Sequence, residues 1–431
     1  MLEAVARWLY SQALRLLTPV YLGRLWWKGR KEPVYRKRLG ERLGRYEVKP
    51  RRDRGGVVWV HAVSLGETRA AGPLIRALRA ELPEMRLLLT CSTATGVQAG
   101  LELLEHEDDQ AWFPYDTPGA VRRFLKRYRP AVGVIMETEV WPNLMARART
   151  LQIPMVLANA RLSVKSQRLG RRWAWLLVPA LDAFTRVLAQ TARDAQRLRE
   201  LGARAVEVCG NTKFDLTPPP KLLVRGHEWR AKIGRNVVLM ASSREGEEES
   251  LFDEWKQVSS PRPLLVVVPR HQPRFDDVVA MARDAGFNVA RRSGWADEPP
   301  VEAVGADVWI GDSMHEMPLY YALADVALLG GSFAPLGGQN LIEAAACGCP
   351  LLMGQHTFNF EEAAHLAIEA GAAARMKDMG SAVRQAVALV DDPRRNEWVE
   401  QALSFGIEHR GANERMAQRI AMLLTGLETG R

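Results

Sequence analysis

Three consecutive prolines at 218–220 constrain this chain more than any other feature of its sequence. Proline fixes its own φ and lacks an N–H, so such a run fits neither a helix interior nor a central strand. On both sides of it, short aliphatic or β-branched runs alternate with longer amphipathic stretches. Before it, runs at 57–60, 86–90, 132–136, 155–158 and 186–189 read as strands, with helices predicted over 68–82 and 96–104. After it, runs at 237–240, 264–268, 308–310, 326–329 and 351–353 restart the pattern. Alternation of this kind predicts parallel sheets with helices on both faces. At 431 residues the chain also exceeds the length at which a single core stops growing, roughly 250–300 residues. The expectation is an α/β protein with two doubly wound, Rossmann-like domains facing a cleft. Its expected parts are an N-terminal arm over 1–45, a first domain over 46–216, a linker over 217–222 and a second domain over 223–431 that includes the terminal helices.

The net charge of +9 sits in the arm. Residues 1–52 carry 14 Lys or Arg against 4 Asp or Glu, while the remaining 379 carry 45 against 46. A nucleic-acid binder with a basic body would not be distributed this way, so no nucleic-acid partner is expected. The arm is also apolar, with Trp8, Leu9, Leu16, Leu17, Val20, Trp26 and Trp27 among its residues. Its longest uncharged run, 16–23, falls far short of the ~20 residues that cross a bilayer. Glu3, Arg7, Ser11, Arg15 and Thr18 recur at three- and four-residue steps, which places them on one helical face and leaves the opposite face apolar. A dense basic stretch follows at 28–38. Apolar face and adjacent cations suit an amphipathic helix lying on an anionic leaflet. The plain alternative is a surface helix packed on its own domain. Cys91, Cys209, Cys347 and Cys349 have no zinc-site spacing and read as reduced structural thiols.

Several motifs fall just after predicted strands, where ligands bind in open parallel sheets. HAVSLGE at 61–67 opens a helix, and Glu67 stands at its start. A carboxylate there is stabilised by the helix dipole, or it is a general base for an acceptor hydroxyl; position alone leaves the two readings level. METEVWPN at 136–143 sets Glu137 and Glu139 after a strand, and NARLS follows another at 159–163. GNTKFD at 210–215 carries Lys213, which could meet an anionic leaving group or could be a plain surface lysine. The second half holds phosphate-type signals. Arg270 and His271 end a strand, and glycines at 330–331 and 337–338 precede a predicted helix containing Glu343. Glycines let the backbone approach an anion, and a helix start offers free N–H groups. Neither the P-loop nor the dinucleotide fingerprint is present. Glycine turn, helix and interior acid in the second of two such domains form the usual nucleotide-sugar arrangement of the GT-B architecture. No His, Asp and Glu set has convincing metal spacing, so neither a catalytic metal nor a cofactor is expected. Of the histidines, His61 and His271 are placed at the cleft edges.

Taken together, these motifs resemble the bacterial 3-deoxy-D-manno-octulosonic acid (Kdo) transferases. The likeness extends from RLWWKGR at 24–30 through PRH at 269–271, GDSMHEM at 311–317, GGQNLIEAAA at 337–346 and GQHTFNF at 354–360. The resemblance implies a CMP-Kdo donor, the tetraacylated disaccharide precursor of lipid A as acceptor, and inverting transfer without a metal. It also implies attachment through the N-terminal arm to the cytoplasmic face of the bacterial inner membrane. By the same resemblance Glu67 matches the catalytic base, and Glu137 and Lys213 match residues that support the transition state. Pro269, Arg270, Met314, His315, Glu316, Asn340, Leu341, Ile342 and Glu343 match the CMP-binding segments. The chain departs from the family pattern at His315, where glycine is usual, at Leu336 and Gln339, and at Arg244, where histidine is usual. Two other readings stay open on sequence: a membrane-associated GT-B transferase using another nucleotide sugar, and a non-catalytic lipid-binding protein on this fold.

Overall fold

The computed structural model describes residues 2–47, 56–215, 217–408 and 410–426. The chain forms two compact units, Met1–Asp215 together with Gly411–Arg431, and Leu216–Arg410. The first is built on strands β1 Val57–His61, β2 Arg86–Cys91, β3 Asp109–Trp112, β4 Val132–Met136, β5 Met155–Ala160, β6 Arg186–Ala189 and β7 Val206–Val208. They form one parallel sheet in the order β3-β2-β1-β4-β5-β6-β7. The order reverses between β1 and β4. The inner strands read as unbroken apolar runs because helices cover both faces. Successive residues of β1 feed two separate cores. Val58 and Val60 pack with Val134, Met136 and Leu74 on one side, and Trp59 packs with Ile135, Phe124 and Leu157 on the other.

The second unit repeats the plan with β8 Val237–Ser243, β9 Leu264–Pro269, β10 Val289–Arg291, β11 Val308–Ile310, β12 Val326–Leu329, β13 Leu351–Met353 and β14 Ala373–Arg375. Its order is β10-β11-β9-β8-β12-β13-β14, and it reverses between β8 and β12. Four strands, β3, β7, β10 and β14, were not expected from the sequence. They are the four sheet edges. Each is three or four residues long and only partly buried, so none carries a continuous apolar run.

The expected domain boundaries need three corrections. Pro220 does not belong to a linker over 217–222. It opens the helix Pro220–Ile233, at a first-turn position where a missing N–H costs nothing. Residues 33–45 are not a separate arm. Tyr35 and Glu41 are buried in the first unit, and the Arg42 guanidinium lies 4.1 Å over the Trp112 ring while Nη2 donates to the Ser92 carbonyl at 2.9 Å. The terminal helix Ala412–Thr425, assigned by sequence to the second domain, packs on the helix Leu65–Glu81 of the first. Met416, Ala417 and Ile420 complete that unit's core. Asp215 caps the helix, accepting from the Ala412 and Asn413 N–H groups at 3.1 and 2.6 Å.

The N-terminal residues form one helix, Leu2–Lys28. It docks on the first unit through a mixed face on which Ala6 and Ser11 are buried, while Glu3, Arg7 and Arg15 of the polar stripe stay exposed. The Ser11 hydroxyl is buried against Asn143 Oδ1 at 3.1 Å, and the Tyr10 hydroxyl bonds the buried Asp116. The apolar side faces outward: Trp8, Leu9, Leu16, Val20 and Trp27 are all more than half exposed. Among the described residues no helix is long and apolar enough to cross a membrane.

Candidate active site

In the first unit the acids gather where the strand order reverses. Beyond β1, Ser64 caps the helix Leu65–Glu81, and its Oγ accepts from the Glu67 N–H at 3.4 Å. The Glu67 carboxylate turns back over this first turn. Oε2 accepts from the Val63 N–H at 2.8 Å and Oε1 from the Ser64 hydroxyl at 3.2 Å. Partial burial raises its pKa above the ordinary value. The Val63 N–H opposes that shift, and the neighbouring Glu137 charge adds to it. The carboxyl is thus oriented, and it is a stronger base than a free glutamate.

Beyond β4, Glu137 adopts a left-handed φ of +61° and is buried. Its carboxylate accepts from Arg161 Nε at 2.9 Å, so the METE and NARLS motifs meet as an ion pair. Glu139 is pushed up to about 7, first by burial and then by the Glu67 charge. Three carboxyls therefore influence one another here with Arg161 among them. Like charges crowded at the mouth of a sheet are costly for the fold, and perturbed carboxyls such as Glu67 and Glu139 cluster at functional sites.

The Lys213 turn is held from beneath. β5 carries a bulge at Asn159, whose φ is +52°. The bulge aims Asn159 Oδ1 at the buried Thr212 N–H, 3.2 Å away, and Gln190 links the Asn159 carbonyl to Asn211. Lys213 lies in the short 3-10 turn Thr212–Phe214 that this network fixes. His61, by contrast, is not an edge residue. It is fully buried beneath the site, stacked on Phe113 at 4.0 Å, with Nδ1 against the Thr90 carbonyl at 3.0 Å. Burial lowers its pKa to about 3, so the ring is neutral at any working pH.

In the second unit the same edge is made of backbone. β8 also carries a bulge, at Ser242 with φ +58°. Gly330 follows β12 so closely that a Cβ would overlap the Ser242 carbonyl. Gly331, Gly337 and Gly338 all take positive φ, which side chains disfavour. The loop is tied on one side by Glu247, whose carboxylate accepts from Gly331 and Phe333 N–H groups at 2.7 and 3.0 Å and from the Arg244 N–H at 2.9 Å. On the other side the 354–360 motif holds it, through Asn359 N–H to the Gly337 carbonyl at 3.0 Å and His356 N–H to the Ser332 carbonyl at 3.0 Å. Asn340 caps the helix Leu341–Ala346, accepting from the Ile342 N–H at 3.1 Å. Glu343 is one turn in. Burial raises its pKa and the nearby Arg270 charge lowers it.

Most residues assigned to the donor side therefore meet on one edge, although not all through their side chains. Arg270 and Met314 are exposed, whereas Pro269, Leu341 and Ile342 are buried and present only backbone. Glu316 is oriented by Arg292 at 2.9 Å. His315 has φ +65°, which explains why glycine suits this position. Sequence reasoning missed Glu247 as the anchor of the glycine loop, Arg161 as the partner of Glu137, and Asp215 as a cap. The adjoining motifs contained all three, but nothing in the sequence paired them. Among the described residues no three His, Cys, Asp or Glu side chains converge to hold a metal ion.

Two parallel doubly wound sheets, the first with acids at its strand ends and the second with a glycine cradle, make a two-domain α/β protein of GT-B type. Residues 37–216 match the family profile described as 3-Deoxy-D-manno-octulosonic-acid transferase (kdotransferase). The chain is 44% identical over 424 residues to the 3-deoxy-D-manno-octulosonic acid transferase of Bordetella pertussis, covering 95% of this chain and 98% of that one. It is 32% identical to the Haemophilus influenzae protein of the same name, covering 95% and 97%. The chain belongs to the Kdo transferase family. Solved structures carry the fold alone. The glycotransferase of kitacinnamycin aligns with TM-score 0.51 at 17% identity over 86% of this chain and all of that one. The UDP-GlcNAc 2-epimerase of Neisseria meningitidis aligns with TM-score 0.53 at 15% identity over 86% and 99%.

Proposed function

We propose that this Kdo transferase takes its sugar from CMP-Kdo and delivers it to the tetraacylated disaccharide precursor of lipid A, in assembly of the lipopolysaccharide inner core. The observation that carries the reading is the oriented Glu67 carboxyl, with its raised pKa, beside Glu137 and Glu139 at the reversal point of the first sheet. An acceptor hydroxyl attacks the anomeric carbon of Kdo, its proton passes to Glu67, and the bond to the CMP phosphate breaks on the opposite face. The anomeric centre is inverted. Glu137, fixed by Arg161, and Lys213, on its braced turn, support the charge that develops. The leaving group is a phosphate monoester. Arg270 suits the charge that the phosphate already carries in the bound donor, and the N–H groups of the glycine loop suit the charge it gains, because oriented dipoles need no reorganisation as it forms. Glu343 suits the ribose hydroxyls. These groups supply the electrostatics of the reaction without a metal.

The acceptor carries acyl chains, so the enzyme must work at a membrane. The outward apolar side of Leu2–Lys28 and the cations that follow it suit attachment to an anionic leaflet, at the cytoplasmic face of the inner membrane. The test is mass spectrometry of the lipid after incubation with CMP-Kdo and the tetraacylated precursor. A gain of one or more Kdo units is expected. No gain, with CMP still bound, would discard the acceptor assignment; no gain, with UDP bound in place of CMP, would discard the donor.

A further inference from the structure

The two helices after the NARLS motif form a surface that the reaction does not use. Val164–Arg172 and Ala174–Asp182 meet at Trp173. Between residues 164 and 181 the sequence has Lys165, Arg168, Arg171 and Arg172 and no acid. The first helix faces inward through Gln167 and Gly170, and a Cβ on Gly170 would meet the Leu201 side chain at 2.8 Å. Its other side is outward. Val164, Leu169, Trp173 and Trp175 are 48%, 57%, 49% and 44% exposed, and the two indole rings lie 5.6 Å apart. Lys165, Arg168 and Arg172 are exposed between them, whereas Arg171 is paired with Glu200 at 3.1 Å. Two half-exposed tryptophans set among unpaired cations are not how a surface helix settles against water.

We infer that residues 164–175 are a second bilayer-contacting element, with Lys165, Arg168 and Arg172 on anionic lipid headgroups and Trp173 and Trp175 at headgroup depth. The inference rests on the membrane reading of the N-terminal helix and extends it. Two observations favour a bilayer. Tryptophan beside cations, with no acid, is the composition of interfacial helices. The surface is also continuous with the N-terminal helix: Ala174–Asp182 packs against it, and Glu3, Arg7, Trp175 and Leu176 line the groove where they meet. The element begins three residues after Arg161, which holds Glu137. It therefore fixes the acid edge of the first sheet close to the headgroups, where the sugar end of a lipid acceptor lies.

Flotation of the full chain with phosphatidylcholine vesicles, with and without phosphatidylglycerol, tests this. A Lys165→Ala/Arg168→Ala/Arg172→Ala variant is expected to lose about 100-fold in binding to the anionic vesicles, about fivefold per charge, and nothing on the neutral ones. Trp173→Ser/Trp175→Ser is expected to weaken binding to both. Thermal unfolding checks that each variant folds, and the exposed charge variant keeps the test valid if the tryptophan one does not. A Trp8→Ser/Leu9→Ser/Leu16→Ser variant runs beside them. If that variant alone loses binding, the second element is overturned and the N-terminal reading stands. If only the 164–175 variants lose binding, the second element stands and the N-terminal reading falls. Failure of the unaltered chain to float with anionic vesicles overturns both. If the tryptophan variant instead abolishes a concentration-dependent dimer seen by light scattering, with flotation unchanged, the surface joins two copies and the inference is overturned.

Discussion

The edge of the first sheet and the edge of the second come from nearly the same strand plan. Each reverses order at its centre, and each has a bulged strand with a left-handed residue beside it, Asn159 in one and Ser242 in the other. The first edge then places carboxyls at its strand ends, Glu67, Glu137 and Glu139. The second places glycines there, with an acid, Glu247, turned inward to hold the loop and Arg270 left exposed. Both edges use glutamate, for opposite ends. Glu247 is saturated by backbone N–H groups. Glu67 is only half satisfied, which leaves lone pairs for the proton that the proposed reaction would hand it. The plan thus fixes where chemistry can occur, and on the proposed reading the side chains at the strand ends decide whether an edge takes a proton or holds an anion.

The comparison breaks most sharply at Glu67. Glu67→Gln keeps the hydrogen bond from Val63 but cannot take a proton, so turnover is expected to fall by about 10²–10⁴-fold while CMP binding, measured by calorimetry, stays unchanged. Gly330→Ala should act on the other edge alone. The new Cβ overlaps the Ser242 carbonyl, and a backbone obstacle cannot move aside. CMP affinity should fall more than tenfold, with the unfolding temperature also lowered. Next is Arg270→Ala, where losing one charged contact of about 1.5–3 kcal/mol should raise the KM for the donor by about 10–100-fold and spare kcat.

Smaller effects concern pH. As the proposed base Glu67 must be ionised, and its pKa lies above the ordinary 4.5. Turnover should therefore climb with pH along a limb above that value. Glu137→Gln removes a neighbouring negative charge, so the limb should move down in pH whatever happens to the maximal rate. The smallest effect is on stability. Asp116, buried beneath Tyr10, is raised from 3.8 to about 7. A raised folded pKa means that the folded state holds the proton more tightly. The stability this gives is complete below 3.8 and is lost as pH rises through about 7. Unfolding temperatures of Asp116→Asn between pH 5 and 8 should therefore vary less than those of the unaltered chain.

The inner strands were legible because burial on both faces forces unbroken apolar runs, as in Val132–Met136, which is recovered to the residue. The edges β3, β7, β10 and β14 were not, since half-exposed strands such as Val206–Val208 are free to carry a glutamate. The placement of Glu67, Glu137 and the glycine loops beyond strand ends was legible because each motif follows an apolar run. Their partners were not. Arg161 reaches Glu137 across 24 positions and Glu247 reaches Gly331 across 84, and no local pattern records such a distance. The terminal helix was misassigned for the same reason. Its tie to Asp215 spans 197 residues, and its apolar stripe fits either core.

The division of labour between the edges is tested most directly by measuring transfer rates of Glu67→Gln and Arg270→Ala side by side while CMP-Kdo is raised from limiting to saturating. The account predicts that excess donor restores Arg270→Ala nearly to the unaltered rate and leaves Glu67→Gln at its reduced rate. Restoration of Glu67→Gln by excess donor, or failure to restore Arg270→Ala, would contradict it.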